Sequence, residues 1–243
     1  MNYACLTDIG KLRRQNEDSV YINDKKLSFA IVADGMGGHN AGEVASRMAV
    51  DTIKASLNRG RITDKTKIED KLRKAFDLAN KKIYDYAEEN SKLMGMGTTT
   101  VVAVIHNGKL TVANVGDSRA YIIKDNEIRH ISVDHSYVWQ LVMKGEITEN
   151  QAKRHPKRNY ITRAMGTEKD VPVDVFSEEW NGGTVLLCSD GLSGLLDNYE
   201  MRNIVNEAGS LEEAAQNLVS LANERGGNDN ISVALMEEVI TNI

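Results

Sequence analysis

Aspartates at the ends of apolar stretches are the residues of this sequence best placed to carry chemistry. Asp34, Asp117 and Asp190 each follow an apolar stretch beside a glycine, and Asp229 stands immediately before the last apolar stretch. A single Asp-Gly pair usually marks only a turn. Strand ends from one sandwich, however, can converge on one edge, where rigid elements hold side chains for binding. The repeated pattern therefore predicts a cluster of carboxylates.

Such a cluster needs a compensating cation. Two like charges ~5 Å apart repel each other by about 3 kcal/mol at an effective dielectric of 20. Oxygen-only ligands favour a hard divalent ion, Mg²⁺ or Mn²⁺. Glu17 and Asp18 follow the first predicted strand and extend the acidic set, and Arg13 lies just upstream. A two-metal carboxylate site with a nearby arginine is suited to hydrolysis of a phosphate ester.

Motifs for other chemistries are missing from the sequence. The histidines show no H-E-x-x-H or other paired spacing, so a zinc site is not indicated. No P-loop and no G-x-S-x-G nucleophile elbow occur. The glycines at 35, 37 and 38 do not match G-x-G-x-x-G, and the element order lacks the βαβ unit that such a motif requires.

The elements that must position these aspartates can be predicted from hydrophobic periodicity. Apolar residues repeat with helical spacing over residues 41–57, 72–87 and 211–222, and Ser210 is the predicted N-cap of the last of these helices. Short apolar runs at 29–33 and 185–188 are typical of central strands. Asn107-Gly108 predicts a hairpin between 101–105 and 110–115, and residues 125–127 predict a second one between 121–124 and 128–132.

The predicted order is a strand pair, two helices, about four strands, a helical region, a strand, two helices and a final strand. Because the helices come in pairs, the order favours antiparallel sheets covered by helices over a doubly wound parallel sheet. No linker divides the chain, so we expect a single domain over residues 1–243. The weakly periodic, basic segment at about 134–165, called the flap below, is either a solvated loop with a short helix or a mobile cover beside an anion site.

Composition excludes several functional classes. The chain has 243 residues, 41% of them hydrophobic and 27% charged, with a net charge of −5, which disfavours a disordered chain or a polybasic nucleic-acid binder. The sequence has no signal peptide and no 18-residue apolar run, so we expect no membrane association. Cys5 and Cys188 both lie in apolar surroundings and are expected to be buried free thiols of a reducing, cytoplasmic compartment.

The motifs together resemble the metal-dependent protein serine/threonine phosphatases (the PPM, or type 2C, family), most closely the compact bacterial members. The matching motifs follow the family's order along essentially the whole chain. They are Thr7-Asp8-Ile9-Gly10, Arg13, Asn16-Glu17-Asp18, Ala33-Asp34-Gly35-Met36-Gly37-Gly38, Met96-Gly97-Thr98-Thr99, Asn114-Val115-Gly116-Asp117-Ser118-Arg119, Asp134-His135-Ser136, Thr162-Arg163-Ala164-Met165-Gly166, Cys188-Ser189-Asp190-Gly191-Leu192 and Gly227-Asn228-Asp229-Asn230.

The resemblance implies an α+β fold, a four-layer αββα sandwich with two antiparallel β-sheets flanked by helix pairs. It also implies site roles. Asp34 would bridge two Mn²⁺ or Mg²⁺ ions, with Asp190 and Asp229 on the first ion. The Gly35 carbonyl, and Asp18 through water, would hold the second ion.

Further roles follow from the same resemblance. Asp117 would complete a weaker third metal site together with Asp190, and Arg13 would bind the substrate phosphate. Asp8 and Glu17 would orient the ligands. Animal relatives carry a histidine, proposed as a general acid, two residues after the bridging aspartate. Met36 occupies that position here, so His39 is a candidate for a substrate or acid role.

The implied function is hydrolysis of phosphoserine and phosphothreonine by a metal-activated water, opposing a bacterial serine/threonine kinase in signalling. We expect a cytoplasmic monomer that acts on phosphorylated proteins and not on nucleic acid or membranes. Two alternatives remain open at this point: a catalytically silent phosphoprotein-binding or regulatory protein of the same fold, and a phosphatase that prefers a small phosphate ester.

Overall fold

A computed structural model of the chain describes residues 1–25, 27–37, 41–60, 62–63 and 66–238. The strands within this part are β1 (Asn2–Asp8), β2 (Asp18–Asn23), β3 (Ser28–Met36), β4 (Gly97–His106), β5 (Lys109–Val115), β6 (Arg119–Lys124), β7 (Glu127–His130), β8 (Asp174–Glu179), β9 (Thr184–Cys188) and β10 (Ile231–Glu237). The α-helices are α1 (Ala41–Asn58), α2 (Ile68–Glu89), α3 (Tyr137–Met143), α4 (Glu149–Ala152), α5 (Asp190–Ser193), α6 (Asn198–Glu207) and α7 (Leu211–Glu224).

The strands form two antiparallel sheets packed face to face. One sheet has the order β1-β10-β9-β6-β7 and the other has the order β2-β3-β4-β5-β8. One apolar core lies between the sheets, a second lies under α1 and α2, and a third lies under α6 and α7. Each sheet therefore buries both faces, and the predicted four-layer α+β sandwich is confirmed.

Local sequence signals position several elements as predicted. Ser210 caps α7, since its hydroxyl accepts a hydrogen bond from the Glu213 N–H at 3.2 Å. Asn107 and Gly108 have φ values of 50° and 66°, the left-handed conformation that a two-residue hairpin turn requires at both positions. The second hairpin is tighter than predicted, because Lys124 pairs directly with Glu127 and only Asp125 and Asn126 form the turn.

The element order differs from the prediction at two places. Three strands, not two, precede α1, and β8 was not predicted. β8 has the sequence DVFSEE and pairs only with β5 at the edge of its sheet, so its residues stay partly exposed and its apolar signal is weak. Among the described helices, none is both long and apolar enough to cross a membrane.

The prediction that both cysteines are buried is wrong for Cys5. Cys188 is buried in the central strand β9, whereas Cys5 is exposed. β1 is an edge strand with β10 as its only neighbour, so apolar residues around Cys5 in sequence do not enclose it in space. Both thiols are free.

The flap contains the short helices α3 and α4. Ser136 caps α3, and Thr148 forms a capping box with Gln151 at the start of α4. The Tyr137 N–H donates to the Tyr160 carbonyl at 2.8 Å, and the Thr162 N–H donates to the His135 carbonyl at 2.8 Å, so the two ends of the flap lie side by side. The flap is thus a segment outside the two sheets whose ends are joined to each other where it meets the sandwich.

Candidate active site

Asp18 and Asp34 meet because β2 and β3 are antiparallel neighbours. The register pairs Asp18, the first residue of β2, with Asp34 near the end of β3. The Asp34 backbone is fixed from the other side by β4: the Thr98 hydroxyl donates to the Asp34 carbonyl at 2.9 Å, and the Asp34 N–H donates to the Thr99 hydroxyl at 3.3 Å. Both carboxylates therefore lie where β2 begins and β3 ends, at one end of the second sheet; this end, with Asp117, Asp190 and Asp229, is called the acidic edge below.

Asp190 and Asp229 meet at the same end of the other sheet. Asp190 follows β9, and Asp229 precedes β10, the antiparallel neighbour of β9. Gly191 allows the two segments to approach closely, since a Cβ at this position would lie 2.0 Å from the Asn230 carbonyl oxygen. A larger residue at 191 would push the two aspartates apart.

A cleft of about 250 Å³ joins this acidic edge to the flap. Asp117, Asp190, Asp229 and Arg13 line one side of it. The other side is formed by flap residues, including Trp139, Lys153 and Arg158. A phosphorylated segment entering this cleft would meet the carboxylates, the arginine and the flap together.

The acidic groups raise one another's pKa values. Removal from water raises the pKa of Asp18 to about 7, with the charges of Asp190 and Asp229 adding to the shift and hydrogen bonds from Ser232 and Ser189 opposing it. Desolvation and the Asp229 charge raise the pKa of Asp190 to about 6. Burial is the larger cause of both shifts, and the added contributions of neighbouring carboxylates place these groups in one electrostatic unit.

Asp34 and Asp117 belong to the same unit. Desolvation, followed by the charges of Asp18 and Asp190, raises the pKa of Asp34 well above its usual value. For Asp117, desolvation and the neighbouring charges of Asp190 and Asp134 raise the pKa in the same way. A bound cation would relieve the repulsion that causes these shifts.

Unpartnered oxygens within the unit point to the same conclusion. Asp18, Asp117 and Asp190 each have a buried Oδ1 without a hydrogen-bond partner among the residues that the structure describes, which is costly for a carboxylate. As the side chains stand, no three His, Cys, Asp or Glu residues of the described part of the chain are arranged to hold one ion together. The donor set nevertheless fits a hard cation, which would satisfy these oxygens and draw the carboxylates around it.

Arg13 occupies the rim of the cleft. Its Nη2 lies 2.7 Å from Asp229 Oδ2, and its side chain is 47% exposed, so it can reach an incoming ligand. The negative charges of Asp229, Glu17 and Asp34 raise its pKa against the effect of desolvation. Arg13 is therefore a permanent positive charge at the mouth of an acidic site.

Asp8 and Glu17 do not reach the cleft carboxylates directly. Asp8 Oδ1 accepts hydrogen bonds from the Gly10 N–H at 2.8 Å and from Asn223 Nδ2 at 3.0 Å, which fixes the loop that leads to Arg13. The Glu17 carbonyl accepts the Gly35 N–H at 3.1 Å, and desolvation raises the pKa of the Glu17 side chain. Asp8 thus contacts the loop before Arg13 and Glu17 contacts the Gly35 backbone, and their orienting role stays a prediction.

Two supporting residues were given no role in the sequence analysis. The Ser189 hydroxyl donates to Asp18 Oδ2 at 2.9 Å and links the two sheets beneath the site. Asn230 accepts the Glu17 N–H at 2.8 Å and donates to the Ile9 and Gln15 carbonyls, so it ties the Arg13 loop to β10. Ser189 directly precedes Asp190, and Asn230 directly follows Asp229. Their position next to a predicted metal ligand was the signal in the sequence that could have identified them.

The structure describes Met36, which stands where animal relatives carry a histidine, but it does not describe the end of the same motif. Met36 is the last residue of β3 and pairs with Gly97 of β4. The predicted site candidate His39 lies outside the described residues, as does Gly38 of the same motif. The role of His39 stays a prediction.

Comparison with known proteins agrees with this fold. The sequence pattern of the family described as protein phosphatase 2C matches residues 13–236. The serine/threonine phosphatase stp of Listeria welshimeri is 43% identical over 235 residues, which cover 95% of this chain and 93% of the relative.

Solved structures show the same likeness. The crystal structure of serine/threonine phosphatase Stp1 from Staphylococcus aureus has a TM-score of 0.91 at 37% identity, covering 98% of this chain and 94% of that one. The catalytic domain of serine threonine protein phosphatase PstP, in complex with 2 manganese ions, has a TM-score of 0.86 at 33% identity, covering 96% of each chain.

The chain belongs to the protein phosphatase 2C family. It is a serine/threonine protein phosphatase, as the sequence analysis predicted, and nothing in the comparisons favours a catalytically silent protein.

Proposed function

We propose that this phosphatase hydrolyses phosphoserine and phosphothreonine in proteins by attack of a metal-activated water, with Mn²⁺ or Mg²⁺ as the cofactor. The observation that carries the proposal is the gathering of aspartates at one end of the sandwich, with three buried carboxylate oxygens left without partners. The two manganese ions bound by the PstP catalytic domain support it.

We assign the ligands of the two central ions as follows. Asp34, which lies opposite Asp18 in the sheet, would be shared by two ions. Asp190 and Asp229 would hold the first ion, while the Gly35 carbonyl and, through water, Asp18 would hold the second. When bound, the ions supply a water of lowered pKa and a positive field for the phosphoryl oxygens.

The chain's own groups bind and orient the substrate. Arg13 would exchange part of its contact with Asp229 for the phosphoryl oxygens, and its fork of N–H donors suits such a ligand. Asp8 holds the loop that carries Arg13, and Glu17 holds the backbone at Gly35. Flap residues line the same cleft as Arg13 and would shield a bound substrate from water.

We expect Arg13→Ala to raise KM for a phosphothreonine peptide more than it lowers kcat. A guanidinium that binds the phosphate equally in the ground and transition states contributes mostly uniform binding. Steady-state kinetics of Arg13→Ala beside Arg14→Ala, a change at the neighbouring exposed arginine, will measure this. A fall in kcat alone would show that Arg13 acts only in the transition state.

We further propose that Asp117 and Asp190 hold a third, weaker ion, and that the flap selects the substrate. Asp117→Ala is then expected to keep two bound ions but to turn over phosphopeptides more slowly. Calorimetric metal stoichiometry, together with rates on a phosphopeptide and an aryl phosphate, will check this. Loss of all metal, or wild-type rates on the phosphopeptide, would contradict the assignment.

Shortening the flap is expected to change peptide preference more than hydrolysis of a small aryl phosphate. A peptide extends from the carboxylates towards Trp139 and Lys153, whereas a small ester does not reach them. Ratios of kcat/KM for a set of phosphopeptides and one aryl phosphate will measure this. An equal loss on all substrates would assign the flap a purely structural role.

We also propose a kinase counterpart, a cellular location and an oligomeric state. The substrate must be supplied by a serine/threonine protein kinase, which would be the functional counterpart. The two free cysteines support work in the reducing cytoplasm. The resemblance to compact bacterial phosphatases supports a monomer that acts without nucleic acid or membrane, and sedimentation analysis tests the oligomeric state.

The deciding experiment is phosphate release from a phosphothreonine peptide with Mn²⁺, with Mg²⁺ and with excess EDTA, for the natural protein and for Asp190→Asn. Turnover that needs the ion and is lost in the variant supports the proposal. Full turnover in EDTA would overturn it.

A further inference from the structure

Three consecutive residues at the root of the flap make three different attachments. Asp134 forms a bidentate ion pair with Arg119, at 3.0 Å between Nε and Oδ1 and 2.6 Å between Nη2 and Oδ2. Ser136 caps α3. His135, buried between them, points to the backbone that precedes Asp117. The Asp134–Arg119 pair lines the cleft, whereas His135 holds the backbone just before Asp117.

His135 forms two hydrogen bonds with Gly116. The Gly116 N–H donates to His135 Nδ1 at 2.9 Å, and the His135 N–H donates to the Gly116 carbonyl at 2.9 Å. Asn114 Nδ2 adds a hydrogen bond to the same carbonyl at 3.2 Å. Gly116 has a φ of 104°, and a Cβ there would lie 2.4 Å from the Thr99 Cβ. The residue before Asp117 is thus held in a conformation that few other residues could adopt.

The ring of His135 is itself oriented. Since Nδ1 accepts a hydrogen bond, the proton of the neutral ring lies on Nε2, which is 3.1 Å from Asp174 Oδ2. Arg163 Nη1 donates to the other oxygen of Asp174 at 2.8 Å and so helps to fix the carboxylate that accepts from Nε2. Asp174 is the first residue of β8 and pairs in register with Asn114. The edge strand thereby places the carboxylate that orients the ring.

We propose that His135 is a positioning residue for Asp117: it clamps the Gly116 peptide between its ring and its backbone, and Asp174, itself held by Arg163, keeps the ring in place. The clamp fixes the direction in which Asp117 enters the cleft and joins the flap root to the acidic edge. The inference rests on the proposed role of Asp117 in turnover.

Two amide variants distinguish the proposed hydrogen bonding of His135 to Gly116 from a role in packing alone. In His135→Asn the side-chain amide oxygen can take the place of Nδ1 as an acceptor, whereas His135→Gln extends its polar group towards the Nε2 position, and His135→Phe removes both. We expect His135→Gln and His135→Phe to lower kcat on a phosphothreonine peptide by about 10–100-fold with little change in KM, and His135→Asn to recover most of the loss. The same changes at the half-buried His106, the last residue of β4, are the matched control.

A double-mutant comparison tests whether His135 acts through Asp117. In an Asp117→Ala background, His135→Gln is expected to cause no further loss of kcat, because two residues of one unit are not additive. Additive losses would overturn the proposal, as would a His135→Asn variant no better than His135→Gln. If His135→Phe does not fold, the Asn and Gln variants still decide the question.

Hydrogen exchange gives a readout that needs no catalysis. In metal-free protein, the Gly116 N–H is expected to exchange faster in His135→Gln and to keep its protection in His135→Asn. Unchanged protection in His135→Gln would overturn the clamp. Failure of the natural protein to show metal-dependent turnover would instead contradict the proposed function, and the exchange measurement would still decide the clamp.

Discussion

Asp34→Asn, Asp190→Ala and Asp229→Ala are each expected to lower kcat/KM on a phosphothreonine peptide by at least about 1000-fold, or about 4 kcal/mol of transition-state stabilisation. Each change removes an anionic oxygen donor from the unit at the end of the two sheets. The measurement is initial-rate phosphate release at saturating Mn²⁺, with metal content determined on the same samples.

The control for this loss is Asp85→Ala. Asp85 lies on the exposed surface of α2, in an ion pair with Lys81 that contributes little to stability. We expect natural activity from this variant. The three site variants should still fold without metal, since each removes one of a set of mutually repelling carboxylates. Natural rates from any of them would contradict the two-metal assignment.

Mn²⁺ at a hundredfold excess over its Kd is expected to stabilise the fold by about 2.7 kcal/mol, which corresponds to a rise in Tm of roughly 5–10 °C for a chain of this size. The ion would compensate the burial and the mutual repulsion that raise the pKa values of Asp18 and Asp190 to about 7 and about 6. Thermal unfolding followed by circular dichroism, with and without Mn²⁺, measures the shift.

The same groups set the pH dependence of this stabilisation. Because their pKa values are raised in the folded state, their contribution to metal-free stability is present below the unfolded value of about 4 and is lost as the pH rises through about 6 to 7. The metal-free Tm should therefore fall between pH 5 and pH 8.

The Mn²⁺-induced shift in Tm should grow over this same interval, because the ligands must be deprotonated to bind. Asp190→Ala should show a smaller shift at each pH. A Tm that Mn²⁺ leaves unmoved, at concentrations that saturate activity, would contradict this prediction.

The turns, the helix cap and the helix pairs could be predicted from sequence because each follows from local physics. Asn107 and Gly108 tolerate the left-handed backbone of a tight hairpin, and Ser210 supplies an acceptor to a free N–H of α7. β8 could not be predicted in the same way, since its residues alternate irregularly and only its pairing with β5 makes it a strand.

The sequence by itself predicted which residues could bind a cation, because several aspartates stand beside glycines and next to apolar stretches, where strands end. Its ordered motifs also determined the family. Only the tertiary structure decided how these residues meet: the β2–β3 register sets Asp18 opposite Asp34, and the insertion of β10 between β1 and β9 brings Asp229 to Asp190.

The exposure of Cys5 and the clamp of His135 on Gly116 were likewise decided by tertiary structure. Neither follows from neighbours in sequence, because an edge strand has a neighbour on only one side, and a flap root meets a strand end only when the sheets have packed. Strand order and register are long-range choices, whose free energy comes from burying whole sheet faces rather than from any local pattern.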